Sequence, residues 1–266
     1  MIALIDGDIL AHNACPTRYE TKDDTIYHRY NSEGQRIAPV FDKAADRKHM
    51  EYCWRSFERL LDELLSSLFI KEYMMAVKSP TNFRDDLYWD YKGQRKNKPN
   101  QNMFVPAIRE LAVMQGLAVE ATGREADDLI RIWAEQAMKA GDPFVICTID
   151  KDMKCIPGKY YNIKEKELSR ITEQFAVRFF YEQLLKGDPV DKIPGVPGIG
   201  DVKAKALLEP FNTEEEFQEV VVDSYMRAFG DKWFDYLLIN GKLLYLQKSE
   251  DDYFKCRDWT ICKEIL

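Results

Sequence analysis

Carboxylates recur in this chain at spacings that suit catalysis. "IALIDGD" delivers Asp6 and Asp8 directly after an apolar run, and "FVICTIDKD" delivers Asp150 and Asp152 after another. "GREADDLIRI" sets Glu125, Asp127 and Asp128 in the first turn of a predicted helix, where the helix dipole favours negative charge. "GDPVDKIPGVPGIGDVKAKALL" carries Asp188 and Asp191 three apart, on one face if the segment is helical, then a glycine-rich turn, then Lys203 and Lys205. Taken singly, each pair also reads as a turn acid or a helix cap. Gathered in one crevice, so many carboxylates would repel strongly, and unless dispersed they call for cations. Hard oxygen ligands without His or Cys select Mg²⁺ or Mn²⁺ over zinc. Two such ions about 3.5–4 Å apart form an arrangement that cleaves phosphodiesters, one activating water and the other stabilising the leaving oxygen.

The elements that must position these acids are legible as alternating patterns. Short apolar runs at Met1–Ile5, Tyr73–Val77, Leu117–Ala121 and Phe144–Ile149, with helical patterns between them, predict βαβ units around a mostly parallel sheet. His49–Ile70 repeats apolar residues at 3.6 spacing and predicts a long core-facing helix. Arg124–Ala140 predicts another, with Thr122 and Glu125 in capping-box spacing and Gly141 and Pro143 beyond its end. Past Ile163 the strand signals fade, and Thr172–Lys186, Gly200–Leu208, Thr213–Phe229 and Trp233–Leu246 all look helical. The expectation is an α/β core over residues 1–166 with a helical C-terminal region over 167–266, packed as one body. Acids beyond the carboxyl ends of parallel strands face a shared crevice, so the strand-end pairs should converge there.

Composition narrows the classes. The chain has 266 residues, 45% hydrophobic and 31% charged, enough to bury a real core. Its six cysteines never form Cys-x-x-Cys and its three histidines cluster near the N-terminus, so zinc-ligand spacing is missing. The net charge of -7 argues against coating nucleic acid nonspecifically but leaves room for a local basic groove. No apolar run approaches the roughly 18 residues of a membrane helix. The glycine turn is no nucleotide loop, because no Gly-Lys-Ser/Thr follows and Gly-Ile-Gly lacks a preceding strand and a third glycine.

In order along the chain, "LIDGD", "NFRDDLYWDYKGQR", "EADD" with "TIDKD", and "GDPVDKIPGVPGIG" resemble the structure-specific 5′ nuclease family of flap endonucleases, polymerase 5′ nuclease domains and bacteriophage 5′ to 3′ exonucleases. The match runs from about Met1 to Leu208. The resemblance implies a PIN-like fold with a helix-hairpin-helix element at about 184–208. It implies a metal cluster of Asp6, Glu125, Asp127, Asp128, Asp150, Asp152, Asp188 and Asp191 holding two Mg²⁺ or Mn²⁺ ions, with Asp6 and Asp128 counted among the catalytic groups. Lys92 and Arg95 correspond to the family's basic pair beside the scissile phosphate. Where the family places a further carboxylate, this chain offers Ser79.

The resemblance also implies how DNA is held. The turn with Gly195, Gly198 and Gly200 would offer backbone amides to a duplex phosphate, beside Lys203 and Lys205, and several members hold K⁺ on carbonyls there. The stretch 91–104, with Lys92, Arg95, Lys96 and Lys98 and no acid, resembles the base of an arch or clamp for single-stranded 5′ DNA, though such a run is usually a solvated loop. Arg84 joins this DNA-binding set. Tyr91 and Phe104 either stack on bases or belong to the core. The implied protein is a monomeric 5′ to 3′ exonuclease or flap endonuclease acting on duplex DNA with a 5′ end, nick or flap, or on RNA–DNA hybrids. No membrane is involved, and a bacterial or phage-infected cytoplasm is its expected location. The competing reading, prompted by Ser79, is a branched-DNA-binding protein of the same fold with weak or lost catalysis.

Overall fold

The structure is a computed structural model, and it describes residues 1–15, 43–93 and 104–265. Six strands of these residues form one sheet in the order β3-β2-β1-β4-β5-β6. They are β1 (Ile2–Asp6), β2 (Tyr73–Lys78), β3 (Val119–Ala121), β4 (Phe144–Thr148), β5 (Gly158–Asn162) and β6 (Glu167–Ile171). β1 to β5 run parallel, and β6 turns back antiparallel on β5. From β1 the chain builds outward to β2 and β3, then returns to β4 on the other side and builds outward again. The crevice where those two directions part lies beyond the carboxyl ends of β1 and β4.

Alternation along the central strands feeds two cores. Ala3, Ile5, Val145 and Cys147 face α1 (Gly7–Ala14), α2 (Lys43–Leu68) and α4 (Phe104–Met114), where Leu10, Phe57, Leu61 and Ile108 cover them. Leu4, Ala76 and Ile146 face the opposite way, against Ile130, Trp133 and Ala134 of α5 (Ala126–Ala140). A third cluster joins α6 (Glu173–Lys186), α7 (Asp201–Leu208), α8 (Glu214–Phe229), α9 (Trp233–Leu244) and α10 (Thr260–Ile265) around Tyr181, Leu184, Phe217, Tyr225 and Leu237. No helix among the described residues is long and apolar enough to cross a membrane.

Local details depart from the sequence reading in three places and settle one open alternative. β6 is a strand in a region where strand signals fade, and the division drawn at 166/167 falls in the β5–β6 turn, so the last strand of the sheet comes from the second part. α5 begins at Ala126 with Glu125 as its N-cap, and the capping box is closed by Glu125 and Asp128, not Thr122. Asp188 and Asp191 share no helical face. They sit in a turn closed by a bridge between Asp188 and Ile193. Tyr91 and Phe104 are buried side chains of the third and first clusters, so the base-stacking option falls and the core option stands. The C-terminus of α5 follows expectation, with Gly141 in the left-handed region at φ 74°.

Candidate functional site

A cleft of about 640 Å³ opens at the carboxyl ends of β1, β2 and β4, and Asp6, Asp8, Glu125, Asp127 and Asp150 line it. Asp6 is the last residue of β1 and Asp8 lies in the first turn of α1; Asp150 follows β4, and Glu125 and Asp127 open α5. Thr148 Oγ1 donates to Asp6 Oδ2 at 3.2 Å and accepts the Asp150 N–H at 2.9 Å, tying two strand ends through one hydroxyl. Burial, with Asp8 and Asp150 nearby, pushes the Asp6 carboxyl up to about 7. Asp127 is raised well above the usual carboxylate range by burial and by Glu125. Asp152 lies one step further along. Its N–H donates to Asp150 Oδ1 at 2.8 Å, Gln183 Nε2 donates to its Oδ1 at 2.9 Å, and burial with Asp150 and Asp188 raises its pKa to about 7. His12, Cys15 and the basic residues Lys78, Lys92, Arg109 and Arg124 share the cleft lining with these carboxylates.

Cations of the chain answer part of the carboxylates' charge. Lys92 Nζ is 2.5 Å from Glu125 Oε1 and 3.4 Å from Asp191 Oδ2. Asn82 Nδ2 and the Tyr91 hydroxyl, both 3.0 Å away, also donate to Glu125. Burial would raise the Glu125 pKa, but Lys92 and Arg84 outweigh it and the net shift is downward. Lys92, for its part, is raised despite its burial by Glu125 and its other anionic neighbours. Across the cleft, Arg109 Nε lies 2.7 Å from Asp8 Oδ1. With these partners in place, no three His, Cys, Asp or Glu side chains among the described residues are drawn together closely enough to hold a metal ion. The carboxylates therefore share a cleft without forming the tight cage expected from the sequence. Mutual repulsion and the two chain cations explain the spacing. Arg109 carried no signal in the sequence; Asn82, Tyr91 and Thr148 lie within the quoted blocks, but only the fold shows that they reach the acids.

Two of the expected site residues engage each other. Asp128 is fully buried, and its two oxygens accept Arg84 Nη1 and Nη2 at 2.5 and 2.9 Å, the Glu125 N–H at 3.0 Å and the Gln247 N–H at 3.1 Å. Four donors fill a carboxylate's lone-pair sites, which leaves none for a metal. The chain itself thus engages the Asp128 carboxylate in this arrangement, apart from the residues that line the cleft. Arg84, its partner, is 0% exposed and presents no surface to DNA in this arrangement. Ser79 lines the cleft, and its Oγ donates to Glu120 Oε1 at 3.0 Å. Arg95, Lys96 and Lys98 lie outside the described residues.

Asp188, Asp191 and the glycine turn flank the cleft without lining it. Asp188 is buried and accepts the Val190 N–H at 2.8 Å, while the Lys92 N–H donates to the Asp191 carbonyl at 3.1 Å. The turn packs backbone on backbone. A Cβ at Gly195 would strike Gly187 and Lys186, and one at Gly187 would strike the Ile193 carbonyl. Gly187, which its position in the sequence did not mark for close packing, thus shares that role with Gly195. A Cβ at Gly198 or Gly200 would meet nothing within 4 Å, and both residues are exposed ahead of α7. Lys203 is exposed, with Nζ 3.4 Å from the Gly198 carbonyl, and Lys205 pairs with Asp201 at 2.7 Å.

A family model described as the 5′-3′ exonuclease N-terminal resolvase-like domain matches residues 24–181. The DNA polymerase I of Chloroflexus aurantiacus is 33% identical over 241 residues, covering 83% of this chain and 23% of that protein. A 5′-3′ exonuclease of Mycoplasma pneumoniae is 29% identical over 232 residues, covering 79% of this chain and 72% of that protein. Among solved structures, a bacteriophage T5 flap endonuclease in a pseudo-enzyme–product complex with DNA and metal ions aligns at a TM-score of 0.58 and 13% identity, over 91% of this chain and 98% of that one. That last likeness is one of fold. The chain spans 14% and 23% of the length of two DNA polymerase I relatives it matches.

Proposed function

The chain belongs to the 5′-3′ exonuclease family, and from that premise we propose that it is a divalent-metal-dependent nuclease hydrolysing phosphodiester bonds near the 5′ ends of duplex DNA. One observation carries the reading: carboxylates that are buried (Asp6), half-buried (Asp8, Glu125 and Asp127) or exposed (Asp150), two of them with raised pKa, line a cleft beside the Lys92 ammonium. Such a donor set suits Mg²⁺ or Mn²⁺. Asp6, Asp127, Asp150 and Glu125 would hold a pair of these ions, with Asp8, Asp152, Asp188 and Asp191 in supporting places. When bound, the metals supply an activated water and neutralise charge on the leaving oxygen.

The chain's own groups do the rest. Lys92 offers an ammonium to the charge that develops on the phosphate. Thr148 fixes Asp6 relative to Asp150, and Asn82 and Tyr91 orient Glu125. The basic residues Arg95, Lys96 and Lys98 would neutralise phosphates of the single-stranded 5′ end. We read the turn between α6 and α7 as a helix-hairpin-helix phosphate site, in which the exposed Gly198 and Gly200 amides and Lys203 meet the duplex and the carbonyls take K⁺. RNA–DNA hybrids fall within the same substrate class, and the chain would act as a monomer.

The second reading, a branched-DNA binder with weak catalysis, draws on Ser79 standing where an acid is expected. A titration of Mg²⁺ and Mn²⁺ against 5′-labelled blunt, nicked and flapped duplexes separates the two. Cleavage that depends on the metal supports the nuclease, with mononucleotide products marking an exonuclease and longer fragments a flap endonuclease. Binding without cleavage at every metal concentration would sink the nuclease and favour the binder.

A further inference from the structure

The Arg84–Asp128 pair does more than fill space. Arg84, at the start of α3 (Phe83–Leu87), spends its remaining donors on the C-terminal region: Nε on the Leu243 carbonyl at 3.0 Å and Nη2 on the Tyr245 carbonyl at 2.6 Å. Leu243 lies in the last turn of α9 and Tyr245 is its C-cap, so these are carbonyls that the helix itself leaves without partners. A guanidinium there satisfies them and also complements the negative end of the helix dipole. Asp128 sits at the opposite kind of end, the first turn of α5, where negative charge is favoured. Its Oδ1 accepts the Gln247 N–H, and its Oδ2 accepts the Glu125 N–H. One buried ion pair is thus clamped between the end of α9 and the start of α5, and its hydrogen bonds reach both residues 243–247 and the backbone of Glu125.

We infer that Arg84 and Asp128 are positioning residues through which the C-terminal segment 243–247 holds the Glu125–Asp127 turn in register with the acids at the ends of β1 and β4. This inference rests on the nuclease reading above. It assigns a role in the site to a part of the chain where the sequence resemblance is weak. The fork geometry explains the choice of arginine, because one planar group must reach a carboxylate and two carbonyls at once. Groups that orient metal ligands from behind lose about 10–100-fold in metal affinity when removed.

The test measures Mn²⁺ binding by electron paramagnetic resonance, on the whole purified chain well below its melting temperature, with no substrate present. Arg84→Met should weaken Mn²⁺ binding about tenfold. If Asp128 were a ligand restrained by Arg84, the same variant would free its carboxylate and bind Mn²⁺ more tightly. Unchanged or tighter binding therefore overturns the inference. Removing one partner strands a buried charge and should lower the melting temperature by about 10 °C, whereas Arg84→Met with Asp128→Leu removes both charges and should recover most of that loss. This double variant serves if Arg84→Met does not fold, and its expected Mn²⁺ affinity is again about tenfold weaker. Wild-type affinity in the folded double variant would make the pair purely structural and overturn the inference while leaving the nuclease reading intact. Absence of any Mn²⁺ binding by the wild type would overturn both.

Discussion

Lys92 is the side chain on which the proposed chemistry leans most, since it bridges Glu125 and Asp191 at the edge of the cleft. Lys92→Ala is expected to slow single-turnover cleavage of a 5′-labelled flap by roughly 10²–10³-fold, and a loss under about threefold would remove Lys92 from the reaction. Asp6 gives a second prediction, about pH. Its native pKa of about 7 lies above the ordinary 3.8, so between those values the folded protein holds the proton more tightly than the unfolded chain. Stability of the metal-free protein should then fall as pH rises from about 4 to 7, with Asp152 acting in the same sense. Glu125, shifted downward, adds stability that is lost only as pH falls below its ordinary 4.5. Urea unfolding in chelator at pH 5 and pH 7.5 measures the slope, and Asp6→Asn should flatten it. The strand-end acids were legible in the sequence because a parallel sheet sends such residues to one place. Asp127 and Asp128 were not separable there. They are adjacent and alike, and only Arg84, far away in the chain, distinguishes the one that is sequestered.

At the scale of elements, the glycine turn before α7 divides into two parts with different demands. Gly195, at φ 59° and against the backbone of Gly187, has no room for a Cβ, and Gly195→Ala should cost roughly 3 kcal/mol or more in urea denaturation. Gly200, at φ -98° and open around its Cα, should accept alanine at a cost of about 1 kcal/mol or less. Equal costs at the two sites would contradict this division. For the proposed duplex contact, Lys203→Ala with Lys205→Ala should weaken DNA binding and flatten its salt slope by about one per lost phosphate contact. The Asp201 carboxylate, paired with Lys186 and Lys205, would then lose one of its neutralising partners at the same helix end. The sequence marked this turn by its prolines and glycines but could not show which glycine is crowded. It also hid β6, whose residues are mostly exposed and polar and which is a strand because its backbone pairs with β5.

Across the whole molecule, the two apolar clusters on either face of the sheet reach the cleft, through Cys15 and Val105 on one side and Ala126 and Met153 on the other, and the fold class was readable because the apolar runs and helical periods alternate in the order a parallel sheet requires. The role of residues 243–247 was not readable, since backbone carbonyls and amides leave no trace in residue types. The resting arrangement of Lys92 on Glu125 and Arg109 on Asp8 has a practical outcome. These side chains act as internal placeholders, so stripping the protein with EDTA should leave a dormant, intact molecule that regains cleavage once Mg²⁺ is returned. Calorimetric scans in EDTA should still show a cooperative transition, and a broad, featureless melt would mean that the acids cannot coexist without foreign ions.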